Sequence, residues 1–454
     1  MKKQVILGIN YGAHDTSAAI GINGDIVAAC EQERFDGNKH SRQFPLEAIN
    51  ECLKIARLKM SNIDEIALTA DHSEIIKKFY LERAKKDPSA FDFLIQDIEK
   101  IKFLSNFKKI IRKNLKFKKR ISNFRHHLCH IASAYYPSGF NKALVLSNDG
   151  MGEFETGLVC SANKGKIKVL DDGPKYPNSL GLIYSAITYF LGWKHHCDEG
   201  IVMGLAPLGN YNNKIKGEKY IDIFRKIIKH KSYFNYEINK EWIAYHLKRN
   251  VWVSKKFTET FGKKREYGTK ILNKHKDIAA ALQKRVEEIT IKSLTQLRKR
   301  YKYDKLCIAG GVGLNCSLNG KIESSKLFNK IFVQPASGDA GAALGAVYCA
   351  FSKNNPNLYK NKRNIMTNHY LGSRYKDKEI INELTKKKIK FEKSKNISLE
   401  TARLLKEGKI VAWFQGPSEF GPRSLGNRSI LCKPFPSGIK DYINNRVKFR
   451  ESFR

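Results

Sequence analysis

Two histidines four residues apart are the feature of this sequence most suggestive of chemistry. The segment His126-His127-Leu128-Cys129-His130 places His126 and His130 on one face of a helix, where both imidazoles can converge on one ion. Asp149 ends one predicted strand, and Asp339 begins a predicted helix at a glycine-rich loop. Two imidazoles and two carboxylates with open positions suit a divalent transition metal such as Fe(II), Mn(II) or Zn(II). Histidines that serve only the core or the surface are the alternative interpretation.

A second group of residues could act on a carbonyl or a phosphate. His14 and Asp15 follow the turn Asn10-Tyr11-Gly12, whose backbone N–H groups can face an anion. His14 could serve as a general base or hydrogen-bond to a reacting carbonyl, or the pair could cap the turn. Lys39 and His40 lie in a polar loop, a position more typical of solvated surface.

Glycine-rich loops favour a nucleotide. A predicted strand at 305–309 leads into Gly310-Gly311-Val312-Gly313-Leu314-Asn315, and Gly338 precedes an alanine-rich helix that we expect to end near Phe351. Glycines at strand ends, just before helix N-termini, suit a nucleotide phosphate or ribose. Tight packing of helix against sheet is the alternative.

Four cations follow near the C-terminus. Arg423 and Arg428 bracket glycines, and guanidinium groups can bind phosphate or carboxylate through two hydrogen bonds. Lys448 and Arg450 add two further positive charges. The pattern indicates small anionic substrates, with a basic surface loop as the alternative.

The elements that must position these residues occur twice. A buried strand is predicted at 5–10, followed by alternating strands at 17–22 and 25–30 around Asn23-Gly24, a strong hairpin signal. The pattern returns at 143–150, 155–161 and 166–170, which predicts an internal duplication with a cleft between two similar lobes. Helices are predicted at 45–58, 74–86, 126–136, 180–191 and 277–300.

A smaller unit follows a linker. Residues 352–367 are polar and rich in asparagine, which predicts the linker, and a second domain should begin near His369. Within it, Ser398 is the expected N-cap of a helix at 399–407, Gly408 follows the helix, and 409–414 is a predicted strand.

Composition restricts the function classes. The chain has 454 residues, of which 42% are hydrophobic, and its 83 basic and 44 acidic residues give a net charge of +39. The densest basic block, 100–120, either binds a phosphate backbone or forms an amphipathic helix with a lysine-rich face; the helix is favoured. Nine cysteines without CxxC spacing, and no apolar run of 18 residues, exclude a disulfide framework, a zinc ribbon and a membrane span. We expect a cytoplasmic protein.

Several motifs together resemble the NodU/CmcH-type carbamoyltransferases, relatives of the enzymes that transfer threonylcarbamoyl to tRNA. The resemblance covers essentially the whole chain and is carried by segments 8–19, 31–35, 126–135, 203–207, 309–316, 420–430 and 447–451. It implies an α/β fold with two actin/Hsp70-like (ribonuclease H-like) ATPase lobes, at about 1–140 and 141–360, and a partial YrdC-like domain at 368–454.

The resemblance also implies an activity. The C-terminal domain would join carbamoyl phosphate and ATP into carbamoyl-adenylate, and the N-terminal domain would transfer the carbamoyl group to a hydroxyl of a sugar or secondary metabolite. The implied roles cover four sets of residues. The resemblance implies that a metal ion, with Fe(II) expected first, is bound by His126, His130, Asp149 and Asp339, and that the carbamoyl group is contacted by His14 and Lys39. It implies that the nucleotide is bound by Gly12, Gly310, Gly311, Asn315 and Gly338. It implies that carbamoyl phosphate or ATP is bound by Arg423, Arg428, Lys448 and Arg450.

Two departures from the family pattern qualify this expectation. Ile201 stands where relatives usually carry lysine, and relatives continue beyond the Lys-Phe-Arg-Glu motif, whereas this sequence ends at Arg454. Adenylate formation is therefore expected to be impaired unless a second polypeptide completes the domain. The alternative functions are a basic nucleic-acid-associated protein, prompted by the charge of +39, and a truncated, inactive carbamoyltransferase.

Overall fold

A five-stranded mixed sheet organises the first lobe. The computed structural model describes residues 3–361, 365–435 and 437–454. The strands of this sheet are β1 (Val5–Asn10), β2 (Ser17–Ile22), β3 (Asp25–Glu31), β4 (Glu65–Leu68) and β5 (Arg120–Asn123). They lie in the order β3-β2-β1-β4-β5, with β1 antiparallel to β2 and parallel to β4. The strands β1 to β3 were predicted, whereas β4 and β5 are four-residue strands without a clear sequence signal.

The second lobe repeats this topology. The remaining strands of the N-terminal part are β6 (Lys142–Asn148), β7 (Gly157–Asn163), β8 (Lys166–Asp171), β9 (Lys214–Ile215), β10 (Glu218–Lys219), β11 (Ile228–Ser232), β12 (Asn235–Ile238), β13 (Lys305–Ala309) and β14 (Lys330–Val333). The second large sheet has the order β14-β13-β6-β7-β8, in which β6 is antiparallel to β7 and parallel to β13. Its first three strands form a meander, as in the first lobe. The predicted duplication is confirmed.

Helices cover both sheets. The α-helices of this part are α1 (Glu33–Asp36), α2 (Leu46–Ala56), α3 (His72–Glu74), α4 (Arg83–Lys86), α5 (Phe91–Gln96), α6 (Ile98–Ser105), α7 (Phe107–Leu115), α8 (His126–Tyr135), α9 (Leu180–Phe190), α10 (Glu199–Leu205), α11 (Tyr220–Ile227), α12 (Lys255–Phe261), α13 (Asn273–Tyr301), α14 (Cys316–Ser324), α15 (Asp339–Asn354) and α16 (Leu358–Asn361). A π-helix, Ile75–Glu82, joins α3 to α4. All five predicted helical regions are confirmed, with boundaries shifted by a few residues.

Two of these helices, α8 and α15, pack closely against one another and against strands of both sheets. Gly345 of α15 faces the carbonyl of Cys129 in α8, where a Cβ atom would come within 1.8 Å of that oxygen. Gly8 of β1 faces the carbonyl of Ala343 in the same way, at 2.2 Å. These contacts leave no room for a side chain, so glycine fixes how near α15 can approach α8 and β1. The N-termini of α8 and α15 consequently lie at one place between the lobes.

The basic block at 100–120 forms α7 and parts of its neighbours. The apolar residues Phe107, Ile111 and Leu115 are buried, while Lys108, Lys109 and Lys113 are exposed. This is the amphipathic arrangement that the spacing favoured, with the lysines on the solvated face.

The C-terminal segment is small and less well packed. Its elements are α17 (Asp377–Lys386), α18 (Ile397–Lys406), β15 (Val411–Phe414), β16 (Arg428–Leu431), α19 (Ile439–Tyr442) and the π-helix Ile443–Lys448. The predicted N-cap Ser398 is wrong: Asn396 caps α18 by accepting a hydrogen bond from the Leu399 N–H at 3.0 Å, because the helix begins two residues earlier. Gly408 does follow the helix end, with φ of 83°.

The predicted linker at 352–367 is partly helical. Helix α15 runs on to Asn354, beyond the expected end near Phe351, and α16 follows at Leu358–Asn361. Residues 362–364 of this linker lie outside the described residues. Among the helices that the structure describes, none combines the length and apolar character needed to cross a membrane.

Candidate active site

A cavity of about 1090 Å³ lies between the two lobes and is bordered by the C-terminal segment. Most of the residues singled out by sequence reach it. The predicted residues that line it are Gly12, His14, Lys39, Asp149, Gly311, Asn315, Gly338, Asp339, Arg423 and Lys448. His126 and His130 lie directly behind two of these, Asp149 and Asp339, and are almost wholly buried.

The four predicted metal ligands converge. The Nε2 atoms of His126 and His130 are 3.0 Å apart, one helical turn from each other on α8. Asp149 Oδ2 lies 3.2 Å and 2.9 Å from these nitrogens, and Asp339 Oδ1 lies 3.4 Å and 3.7 Å from them. One donor atom from each side chain falls within 4.8 Å of the other three. Two imidazoles and two carboxylates at this spacing fit a single divalent cation. We call these four residues the His–Asp cluster.

Rigid elements hold the His–Asp cluster in place. Asp149 directly follows β6, and its other oxygen, Oδ1, accepts hydrogen bonds from the N–H groups of Gly150 at 2.8 Å and Gly311 at 3.0 Å. Asp339 is the first residue of α15. Each carboxylate is thus fixed at the end of a strand or the start of a helix, so both can face the same point without a flexible loop.

The electrostatics of the His–Asp cluster favour positive charge. Burial opposes protonation of His126, but Asp339 and Asp149 outweigh it and raise the pKa of His126 well above its ordinary value. Burial would raise the pKa of Asp149, yet hydrogen bonds with His126 and His130 bring it well below the usual range. The two carboxylates therefore stabilise positive charge at this point, which a metal cation could supply.

His127 has a different role. Its Nε2–H donates to the Glu155 carbonyl at 2.9 Å, and its Nδ1 accepts from Ser147 Oγ at 2.8 Å. Burial lowers the pKa of His127 to about 3, so the ring is neutral. These two hydrogen bonds join α8 to the second lobe. The ring points away from the His–Asp cluster, because His127 lies one residue along the helix from His126.

A second cluster lies on the cavity wall. His14 Nδ1 is 3.0 Å from Asp15 Oδ2, and His40 Nδ1 is 2.5 Å from Asp15 Oδ1. His14 also approaches the His–Asp cluster, since its Nε2 lies 3.9 Å from Asp339 Oδ2. The sequence predicts the pairing of His14 with Asp15 but places His40 at the solvated surface. We call His14, Asp15 and His40 the wall cluster.

The wall cluster is held by loops. Asp15 has a φ of 55°, in the left-handed region, and the Asn10 side-chain amide donates to the carbonyls of His14 and Asp15 at 3.2 Å and 3.0 Å. Burial opposes ionisation of Asp15, but its two histidine partners lower its pKa to about 2. Burial likewise opposes protonation of His14, but Asp339 and Asp15 raise its pKa to about 9.

The remaining predicted residues divide into those that face the cavity and those that do not. Lys39 lines the cavity and lies 3.7 Å from Asp198. Gly310 lies behind the cavity wall and has a φ of 90°; a Cβ atom at this position would come within 2.3 Å of the Asn148 carbonyl oxygen. Asn315 lines the cavity, while its side chain caps α14 and pairs with Gln283.

Of the four C-terminal cations, Arg423 and Lys448 line the cavity. Arg428 instead stacks over the Phe414 ring at 3.6 Å and donates to backbone carbonyls, among them that of Gln415 at 2.6 Å. Arg450 Nε donates to Asn444 Oδ1 at 2.7 Å. The structure therefore brings two of these cations to the cavity and uses the other two within the C-terminal segment. Ile201 is buried and adds an apolar patch to the cavity wall.

The chain matches two protein-family models and several known proteins. Residues 5–348 match the model for the carbamoyltransferase N-terminus, and residues 402–454 match the model for the carbamoyltransferase C-terminus. Nodulation protein NolNO of Sinorhizobium fredii is 33% identical over 98% of this chain, which spans 62% of that protein. The 3'-hydroxymethylcephem-O-carbamoyltransferase of Streptomyces clavuligerus is 36% identical over 33% of this chain and 26% of its own length. Among solved structures, component A of the (R)-2-hydroxyglutaryl-CoA dehydratase of Acidaminococcus fermentans overlaps 77% of this chain and 98% of its own, with 15% identity and a TM-score of 0.39.

Proposed function

The chain belongs to the carbamoyltransferase family, and we propose that it moves a carbamoyl group from carbamoyl phosphate, through carbamoyl-adenylate made with ATP, to a hydroxyl of a sugar or secondary metabolite. The observation that carries this proposal is the convergence of His126, His130, Asp149 and Asp339 beside the interlobe cavity. Family membership supports carbamoyl transfer, and the arrangement of the cavity supports its route through an adenylate.

The two parts of the chain have separate roles in this proposal. Residues 1–360 perform the transfer, and residues 368–454 contribute to adenylate formation as part of a YrdC-like domain. Matches to separate N- and C-terminal family models support this division. Arg423 and Lys448, which line the cavity from the C-terminal side, are the cations best placed to bind carbamoyl phosphate and ATP.

The His–Asp cluster would hold a divalent ion, with Fe(II) first and Mn(II) or Zn(II) as alternatives. Such an ion supplies electrophilic stabilisation of a phosphate or acyl oxygen. Gly12, Gly311 and Gly338 line the cavity, and at Gly338 a Cβ atom would find no neighbour nearer than 3.7 Å, which leaves room for the adenylate. Their small size lets the backbone approach the nucleotide.

The transfer step uses the wall cluster. The acceptor oxygen attacks the carbamoyl carbon of the mixed anhydride, the bond from that carbon to the AMP oxygen breaks with its electron pair, and the hydroxyl proton passes to a phosphate oxygen of the departing AMP or to water. The Asp15 carboxylate, 3.0 Å from His14 Nδ1, stabilises a proton on the His14 ring, which can donate a hydrogen bond to the carbonyl oxygen as negative charge develops there. Lys39, which is largely exposed on the cavity rim, adds positive charge on the same side.

Two measurements on the full chain test this proposal. The first is binding of AMP, the leaving group, by titration calorimetry with Fe(II) under anaerobic conditions, or with Mn(II) or Zn(II). The second supplies ATP, carbamoyl phosphate and candidate saccharides and uses mass spectrometry to detect a product heavier by about 43 Da, the mass of CONH₂ replacing a proton. Metal-dependent AMP binding that His130→Gln abolishes supports the proposal. If the metal-loaded chain binds no AMP and yields no carbamoylated product, the proposal is wrong.

A further inference from the structure

One wall of the cavity carries cations that have no role in the function proposed above. Arg42 lies in the loop before α2, Lys100 lies on α6, and Lys248 and Arg249 lie in the loop between β12 and α12. Three separate segments of the chain therefore place positive charge on one cavity, and the side chains of Arg42, Lys100 and Lys248 are exposed at its edge. We call these four residues the basic wall.

Within the part of the chain that the structure describes, Arg249 is the one member of the basic wall that forms an ion pair. Arg249 forms an ion pair with Asp97, with Nε 3.2 Å from Oδ1, and its guanidinium lies 4.5 Å from the Phe93 ring centroid. Among the described residues, Arg42, Lys100 and Lys248 contact no carboxylate. The other carboxylates that line the cavity are engaged elsewhere: Asp15, Asp149 and Asp339 with histidines, Asp198 with Lys39, and Glu199 with Ser185.

These like charges influence one another. Desolvation, together with Arg249 and Arg42, lowers the pKa of Lys100, although the charge of Asp97 offsets part of this effect. Arg42 contributes in the same direction to the pKa of His195 and of His196, which burial chiefly lowers to about 4 and about 3. Four cations beside a single carboxylate, Asp97, keep a net positive charge, and an anion bound among them relieves their mutual repulsion.

Aromatic groups border the basic wall. Trp252 lines the cavity, and its Nε1–H is buried without a hydrogen-bond partner among the described residues. His195 stacks against Trp252 with ring centroids 4.3 Å apart. A buried indole N–H normally has a partner, so this donor is available to an acceptor oxygen on a ligand.

On the basis of the proposed carbamoyl transfer, we propose that the acceptor itself carries a phosphoryl group, which binds to Arg42, Lys100 and Lys248 while the acceptor hydroxyl faces His14. A phosphate monoester carries a charge of about −1.5 to −2 and three acceptor oxygens, which suits three separate cations better than one carboxylate does. The three side chains are exposed, but they border the same cavity as His14, so a small phosphorylated alcohol can bring its phosphate to the cations and its hydroxyl to His14. The substrate class is therefore a sugar phosphate or a related phosphorylated alcohol.

Binding measurements without ATP or carbamoyl phosphate test this inference. Glucose 1-phosphate is the probe, glucose its neutral counterpart, and glucuronate its carboxylate counterpart, each titrated into the full chain by calorimetry. We expect glucose 1-phosphate to bind most tightly and the variant Arg42→Gln/Lys100→Gln/Lys248→Gln to bind it at least about tenfold more weakly. The single variant Lys100→Arg keeps the charge and should retain binding.

A matched control removes the same charge elsewhere. Lys229, Lys231 and Lys292 line a separate basic pocket on β11 and α13. Lys229→Gln/Lys231→Gln/Lys292→Gln should bind glucose 1-phosphate as the wild type does. The inference would be overturned if both triple variants lost the same affinity for glucose 1-phosphate. It would also be overturned if the wild type bound glucose, or glucuronate, as tightly as glucose 1-phosphate. Since these titrations need no carbamoyl donor, their failure leaves the test of carbamoyl transfer unaffected, and they remain interpretable if that test fails.

Discussion

The His–Asp cluster and the wall cluster face the same cavity but are built differently. The His–Asp cluster stands on α8, the end of β6 and the start of α15, and its side chains are buried. The wall cluster stands on loops, and the side chains of His14, Asp15 and His40 are between 22% and 29% exposed. Rigid elements suit a site that must keep four ligands at fixed distances, whereas loops suit groups that must adjust to a substrate.

The difference also appears in the connections between the two clusters. Among the residues that the structure describes, His14 connects the two clusters, through the 3.9 Å approach of its Nε2 to Asp339. An ion held by the His–Asp cluster would therefore change the electrostatic environment of His14 directly and that of His40 only through Asp15. Changes in the two clusters should consequently have separable effects on metal content, on transfer and on stability.

The largest expected effect is on metal binding. His130→Gln removes one of two imidazole ligands from a fully buried position, and we expect the bound ion to be lost and carbamoyl transfer to fall by at least about 100-fold. Elemental analysis of anaerobically purified protein measures the first effect. The control is His246→Gln, which replaces a buried histidine outside both clusters and should retain the metal. Full metal content in His130→Gln would remove the distinction between the clusters.

A smaller effect is expected at the junction of the clusters. His14→Gln keeps all four metal donors but removes the cation that faces the carbonyl oxygen, so we expect transfer to fall by about 100- to 1000-fold with the metal content unchanged. Comparing product formation with elemental analysis of the same sample separates the two roles. Loss of the ion from His14→Gln would mean that the wall cluster helps to bind it.

The contrast between regular elements and loops also explains which parts of the site could be predicted from the sequence. His126 and His130 follow from helical spacing, and Asp149 and Asp339 follow from the ends of regular elements, where side-chain direction is fixed by the backbone. The duplicated meander was also visible, because alternation and turn residues mark each hairpin. These features are local, so one sequence is sufficient to identify them.

Features that depend on loops or on long-range packing were not predicted. His40 reaches Asp15 through a loop in which it has a φ of 55°, a conformation that no simple pattern specifies. Arg423 and Arg428 look alike in sequence, yet one lines the cavity and the other lies over Phe414. The short strands β4 and β5 are held by their neighbours in the sheet, and their own sequences carry little signal.

The smallest expected effect is the pH dependence of stability that the wall cluster provides. Burial opposes protonation of His40, but its hydrogen bond to Asp15 raises its pKa from 6.5 to about 10. A raised histidine pKa stabilises the fold fully below about pH 6.5 and loses that effect as the pH rises towards 10. The lowered pKa of Asp15, about 2, gives stability that is present above about pH 4 and is lost as the pH falls towards 2.

We therefore expect His40→Gln to lower the free energy of unfolding by about 1.5–3 kcal/mol at pH 6 and by little at pH 10. Chemical denaturation of the metal-free protein at pH 6, 8 and 10 measures this difference. His246→Gln is the control, because burial lowers the pKa of His246 to about 4 and the ring is neutral throughout this range. A deficit in His40→Gln that stays constant from pH 6 to 10 would show that His40 acts through packing alone, and that the wall cluster, unlike the His–Asp cluster, is not organised by charge.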